Sequence, residues 1–158
     1  MPRNVVVIGV GNKLRGDDAA GLEAVRRVRE SELPASVTVH LHEGEAVGLL
    51  ELWDGADAAV LVDTVRSGAP PGTIHRIDAS HLPLPAPVRP SSSHTIGIAE
   101  AIELARVLGT LPSGVLVYGV EGHQFEAGTE LSDEVAAALD PLVDELRAET
   151  LRVSSRIG

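Results

Sequence analysis

The 158 residues contain no cysteine. A disulfide framework, a thiolate metal site and a cysteine nucleophile are therefore excluded. Positive charge is scarce: 13 basic residues face 23 acidic ones, for a net charge of −10 with histidine neutral. A nucleic-acid footprint would be basic, so neither DNA nor RNA is an expected partner. An anionic membrane surface is excluded by the same argument. No apolar run approaches the ~18 residues that a membrane span needs. The apolar stretch ending at Val10 is too short for a secretory signal, which leaves a cytoplasmic protein as the expectation. Lysine is nearly absent, with Lys13 alone beside twelve arginines, a compositional bias without chemical consequence.

What is present is an ordinary globular composition, 44% hydrophobic and 23% charged. The length suits one domain, expected over residues 1–150, with 151–158 as a loose tail. Val5–Val10 and Ala58–Val62 read as buried strands, as does Val115–Val120. Val37, Val39 and Leu41 alternate with Thr38, His40 and His42, the period of a half-buried strand whose histidines face solvent. Thr73–Asp78 reads as an edge strand. Helical stripes run through Leu22, Val25 and Val28, through Ile98, Ile102, Ala105 and Leu108, and through Val135, Leu139, Leu142 and Leu146. Asp17 or Asp18 is placed to cap the first helix, and Val47–Trp53 is a further short helix. Pro141 argues for a kink or a late start in the last one. Residues 79–93, rich in proline and serine, read as a long irregular loop. Residues 113–149 carry nine acids against Arg147 alone, either a solvated helix face or a docking face for a basic partner. The alternation of strands and helices predicts an α/β three-layer sandwich, a mostly parallel twisted sheet of about five strands with helices on both faces.

In such sheets the site lies beyond the carboxyl ends of the strands. After Val10 comes Gly11-Asn12-Lys13-Leu14-Arg15-Gly16-Asp17-Asp18; Asp63 follows the strand at 58–62; His94 precedes a helix; Glu121 and His123 follow the strand at 115–120. The first segment is not a dinucleotide fingerprint, because Leu14 stands where a glycine is needed. Nor is it a phosphate loop, because Asp17-Asp18 stand where Lys-Ser or Lys-Thr would, and carboxylates at a helix start repel phosphate. There is no G-x-S-x-G elbow, and Ala46 breaks the zinc-helix pattern begun by His42-Glu43. Ser91, Ser92 and Ser93 read as loop and cap residues. Two carboxylates and an imidazole remain. Asp18, Asp63 and His94 would offer an O, O, N donor set suited to a divalent transition metal such as nickel, zinc, manganese or iron with open positions. Each also has a structural alternative: Asp18 as a helix cap, Asp63 as a loop cap or arginine partner, His94 as a helix-start residue.

At these residues the sequence resembles the [NiFe]-hydrogenase maturation endopeptidases. The match lies in Gly9-Val10-Gly11-Asn12 followed by Leu14, Asp17-Asp18 and Gly21, in the strand ending at Asp63, and in Ser93-His94-x-x-Gly97 opening a helix. It covers essentially residues 4–149. The resemblance implies an endopeptidase, aspartic-type by family classification, that removes a short C-terminal extension from a hydrogenase large-subunit precursor after nickel insertion. It implies that Asp18, Asp63 and His94 contact nickel carried by that precursor and form the catalytic site, with other divalent metals able to occupy it in vitro. Asp18 is preferred over Asp17 by its spacing from Gly9-x-Gly11-Asn12. The segment Glu43-Gly44-Glu45-Ala46-Val47-Gly48 departs from the small-residue turn that many members carry, which bears on the hydrogenase class served. A non-catalytic module that inspects the nickel-loaded precursor is the competing function.

Overall fold

Valine-rich, mostly apolar runs build the centre of the molecule. In a computed structural model that describes residues 3–43, 46–83 and 97–155, β1 (Val5–Val10), β3 (Ala58–Val65) and β5 (Gly114–Glu121) are buried almost throughout. They run side by side and parallel, as strands covered on both faces must. β2 (Val37–His42) extends the sheet in parallel beside β1, and β4 (Ile74–Asp78) closes the other edge antiparallel to β5. The order is β2-β1-β3-β5-β4. Both edge strands are only half-buried, which explains their mixed composition.

Successive residues of β1, β3 and β5 point to opposite faces, and each face has its own core. Val5, Val7, Val60, Val62 and Tyr118 pack against α1 (Ala20–Arg29) and α4 (Asp133–Ser154) through Val25, Val28, Leu139, Leu142 and Leu146. Val6, Ile8, Leu61 and Val117 pack against α2 (Ala46–Trp53) and α3 (Ile98–Leu108) through Leu49, Trp53, Ala101, Ile102 and Ala105. This is the expected three-layer α/β sandwich with five strands.

Several boundaries differ from the sequence reading. Asp63 and Glu121 lie within β3 and β5 rather than after them, because these two strands pair with each other as far as Val65 and Glu121. Leu108 is exposed and contributes nothing to the core side of α3. Pro141 sits inside an unbroken α4. The carbonyl it frees, on Ala137, lies on the same exposed side of the helix as the proline, where water can satisfy it. Residues 151–154 are not a tail: they are the last turn of α4, where Val153 is buried and the Ser154 carbonyl accepts a bond from Arg3 N at 3.1 Å. His40 and His42 are half-buried rather than solvent-facing. Among the described residues no helix is long and apolar enough to cross a membrane.

Candidate active site

β1 turns away from β3 after Val10, and the chain passes through a short 3-10 helix (Gly16–Ala19) into α1. The strand order reverses between β1 and β3, and the carboxyl ends at such a reversal are the usual ligand position in an open α/β sheet. Two glycines allow the 3-10 helix to sit down on these ends. A Cβ on Gly11 would stand 2.0 Å from the carbonyl oxygen of Asp18. One on Gly21 would stand 2.5 Å from the Val62 oxygen, 2.7 Å from the Val10 oxygen and 3.0 Å from Asp63 Cα. The Asn12 amide completes the seat by donating to the Asp18 carbonyl at 3.1 Å.

The paired aspartates have different surroundings. Asp17 is wholly buried, and its carboxylate accepts from Ser132 N (2.7 Å), Ser132 Oγ (3.0 Å), His123 N (2.9 Å) and Gln124 N (2.9 Å). Its own amide donates to the Gln124 carbonyl at 2.7 Å, and its carbonyl accepts from Thr64 Oγ1 at 2.5 Å. Burial works against the charge, but the bonds donated by His123, Ser132 and Gln124 outweigh it and hold the Asp17 carboxyl below its ordinary range. Asp17 thus ties the 3-10 helix to β3 and to the loop before α4. Neither Asp17 nor Asp18 caps α1, whose N-terminal residue Ala19 has no side-chain cap. That expectation fails because the 3-10 turn sets the aspartates one step before the α-helical start.

Asp18 and Asp63 are 5% and 1% exposed, although both are carboxylates. Asp63 Oδ1 accepts from Thr64 N at 2.7 Å, while its Oδ2 is buried without a hydrogen-bond partner among the described residues. Burial first, then the negative charge of Asp18, push the Asp63 carboxyl well above the ordinary carboxylate range, against the lowering effect of the Thr64 amide. Two acids close enough to repel are therefore buried together at the strand ends. Such a pair has two uses: it shares a proton, or it binds a cation that neutralises both.

His94, with Ser91, Ser92 and Ser93, lies outside the described residues, as do Gly44 and Glu45. Among the described residues no three histidines or carboxylates are grouped to hold a metal. Asp63 points to the sheet face that carries α3, and His94 precedes the first residue of that helix by four positions in sequence. Glu121 and His123 do not join the pair. Glu121 is held by Ser67 (N at 2.8 Å, Oγ at 2.5 Å) and by His75 at 3.1 Å, fixing the turn after β3. His123 meets Glu134 at 3.0 Å. Ser67, Ser80 and Ser132 each bond a carboxylate, and none of these hydroxyls is bonded to an imidazole. Sequence reasoning missed the load carried by Asp17 and Thr64. Its partners are 106 to 115 residues away in the chain, and no local pattern announces them.

Comparison with known proteins agrees with this arrangement. Residues 44–149, more than half of the chain, match the model of the HycI hydrogenase maturation protease family. The hydrogenase expression/formation protein HupD of Rhodobacter capsulatus is 30% identical over 97% of this chain and 76% of its own length. HupD of Thiocapsa roseopersicina is 29% identical, and the chain spans 64% of that relative's length. Among solved structures, the hydrogenase-maturating endopeptidase HybD of Escherichia coli superposes with a TM-score of 0.80 at 27% identity, covering 96% of this chain and 94% of that one. Family model, relatives and fold converge: the chain belongs to the hydrogenase maturation protease family.

Proposed function

We propose that the protein is an endopeptidase that removes the C-terminal extension of a [NiFe]-hydrogenase large-subunit precursor and recognises the nickel that the precursor carries. The observation that supports this most is the Asp18–Asp63 pair, buried at the strand-order reversal with an oxygen of Asp63 left without a donor. Natural folds seldom bury two repelling carboxylates unless a proton or a cation joins them. Asp17 is not available for that work, since hydrogen-bond donors already occupy both its oxygens. In this reading Asp18, Asp63 and His94 contact the incoming nickel, and a precursor without nickel is not cut.

The chemistry is hydrolysis. With no cysteine in the chain, and with Ser67, Ser80 and Ser132 each committed to a carboxylate, water is the nucleophile in this reading. It adds to the scissile carbonyl carbon, the C–N bond breaks, and the departing amine takes a proton. Two aids are open to the site: the docked metal polarises that carbonyl, or one carboxylate of the pair accepts the proton of the attacking water. The raised Asp63 carboxyl suits the second task, because it holds a proton more strongly than an ordinary carboxylate does.

The test is mass spectrometry of a nickel-loaded large-subunit precursor incubated with the protein and with its Asp63→Ala variant. Loss of one discrete C-terminal peptide, only with the unaltered protein and only with nickel present, is the expected result. An intact precursor that co-purifies with the protein would replace the endopeptidase by a binding module.

A further inference from the structure

The chain is strongly acidic, yet two arginines without carboxylate partners stand beside the proposed site. Arg66 follows Asp63 by three residues at the end of β3, and Arg15 immediately precedes the 3-10 helix that carries Asp18. Both line one open hollow of about 470 Å³ with His123, Gln124, Phe125 and Glu126. Its walls are joined by backbone bonds from Gly16 N to Thr129 O (3.1 Å) and from Asp17 N to Gln124 O (2.7 Å).

Elsewhere among the described residues the arginines are used. Arg26, Arg27, Arg76, Arg106 and Arg152 each meet a carboxylate, and Arg3, Arg29 and Arg147 donate to backbone carbonyls. Among the described residues the guanidinium of Arg15 has no such partner, and that of Arg66 rests on the Phe125 ring, 4.1 Å from its centroid. Stacking fixes the plane of the guanidinium and leaves its N–H edges free, an orientation suited to a forked bond with a carboxylate. Glu126 contributes one opposing charge to the hollow, and His123 is engaged with Glu134. Two arginines thus face one carboxylate, in a region where acids otherwise predominate.

We propose that Arg15 and the Phe125-stacked Arg66 form a carboxylate-binding subsite that holds the peptide segment of the precursor beside Asp18 and Asp63. This rests on the proteolytic reading above. The carboxylate comes either from an acidic side chain of the extension or from its terminal α-carboxyl group. Its capture in the hollow sets which stretch of chain lies over the paired aspartates, so the arginines act on substrate binding and not on the bond-breaking step.

The experiment uses the full chain and a nickel-loaded [NiFe]-hydrogenase large-subunit precursor in three forms: unaltered, with the acidic side chains of the extension neutralised, and with its C-terminus amidated. Cleavage gives KM and kcat, and titration of the intact precursor with the Asp63→Ala background gives Kd. Arg66→Ala is expected to raise KM and Kd about tenfold with kcat nearly unchanged, the effect of losing one charge-assisted bidentate contact at an exposed site. Arg66→Lys recovers only part of the loss, because an ammonium lacks the fork. The protein with both arginines should lose the same factor on one of the two altered precursors, which identifies the source of the carboxylate, and Arg66→Ala should lose nothing further on that precursor. Unchanged KM, Kd and salt dependence in Arg15→Ala and Arg66→Ala would overturn the subsite, as would indifference to both precursor alterations. If no precursor is cut, the proteolytic reading fails on its own, and Kd still decides the role of the arginines.

Discussion

Two adjacent aspartates that differ so much in surroundings should differ in what their loss does. Asp17→Ala removes an acceptor of four hydrogen bonds, three of them from backbone amides. A bond to a charged group is worth about 1.5–3 kcal/mol. His123 is exposed and Gln124 half-buried, so water replaces part of what they lose, whereas Ser132 is buried and its amide is left without a partner. The net cost is roughly 3–5 kcal/mol, or about 10 °C in Tm for a chain of this size. Asp17→Asn does not rescue it, because an amide NH2 would face N–H and O–H donors. Asp18→Asn should cost less stability than Asp17→Ala, since it also removes a charge that repels Asp63, while processing of the precursor stops. Urea unfolding followed by circular dichroism measures the first quantity, and mass spectrometry of the precursor the second. A stable, inactive Asp17→Ala together with an unstable Asp18→Asn would refute the division of labour drawn from these bonds.

Asp63→Asn should raise stability at neutral pH, since it removes a carboxyl whose ionisation is opposed by burial and by Asp18, and should abolish cleavage; a fall in Tm would contradict the raised carboxyl. The pH profiles of the two acids have opposite signs. The carboxyl of Asp17 lies below its ordinary value of 3.8 in the folded chain, so its contribution is full above that value and is lost as pH falls through the folded one. The Asp63 carboxyl is raised, so its burial costs stability at neutral pH, and that cost is relieved as pH falls through its folded value; the stability gained by Asp63→Asn should therefore shrink on acidification, measured by denaturant unfolding at several pH values. Gly21→Ala should cost about 1–3 kcal/mol, because its Cβ meets two backbone oxygens at 2.5 and 2.7 Å that belong to the strands and cannot yield as a side chain would. Nickel alone should shift Tm little if the metal arrives with the precursor, and a large shift in a thermal titration would indicate a metal bound before the substrate.

The parts of this molecule that were legible in its sequence are those whose cause is local. Val5–Val10 and Val115–Val120 declare buried strands because six consecutive apolar or glycine residues have no other solution in a chain of this composition. Once strands and helices alternate, the position of the crevice follows from connectivity, and Asp18 and Asp63 could be picked as residues standing where the strands end. The errors share the opposite cause. Asp63 was read as lying past its strand because one polar residue ends an apolar run, yet β5 offers Gly119 as its pairing partner and carries the strand to Val65. Pro141 was read as a kink or a late start because the exposure of Ala137 and Pro141 belongs to the packed helix and not to the local sequence. The chain end was read as loose because the partner of Ser154 is Arg3, at the other end of the sequence. Asp17 is the instructive case. Spacing from Gly9-x-Gly11-Asn12 favoured Asp18 over it, and the donors of the 123–132 loop give a physical difference between the two. Those donors fill the oxygens of Asp17, while Asp18 acts on Asp63 through its charge, so the same short turn supplies both an anchor for the strand ends and a charge beside Asp63.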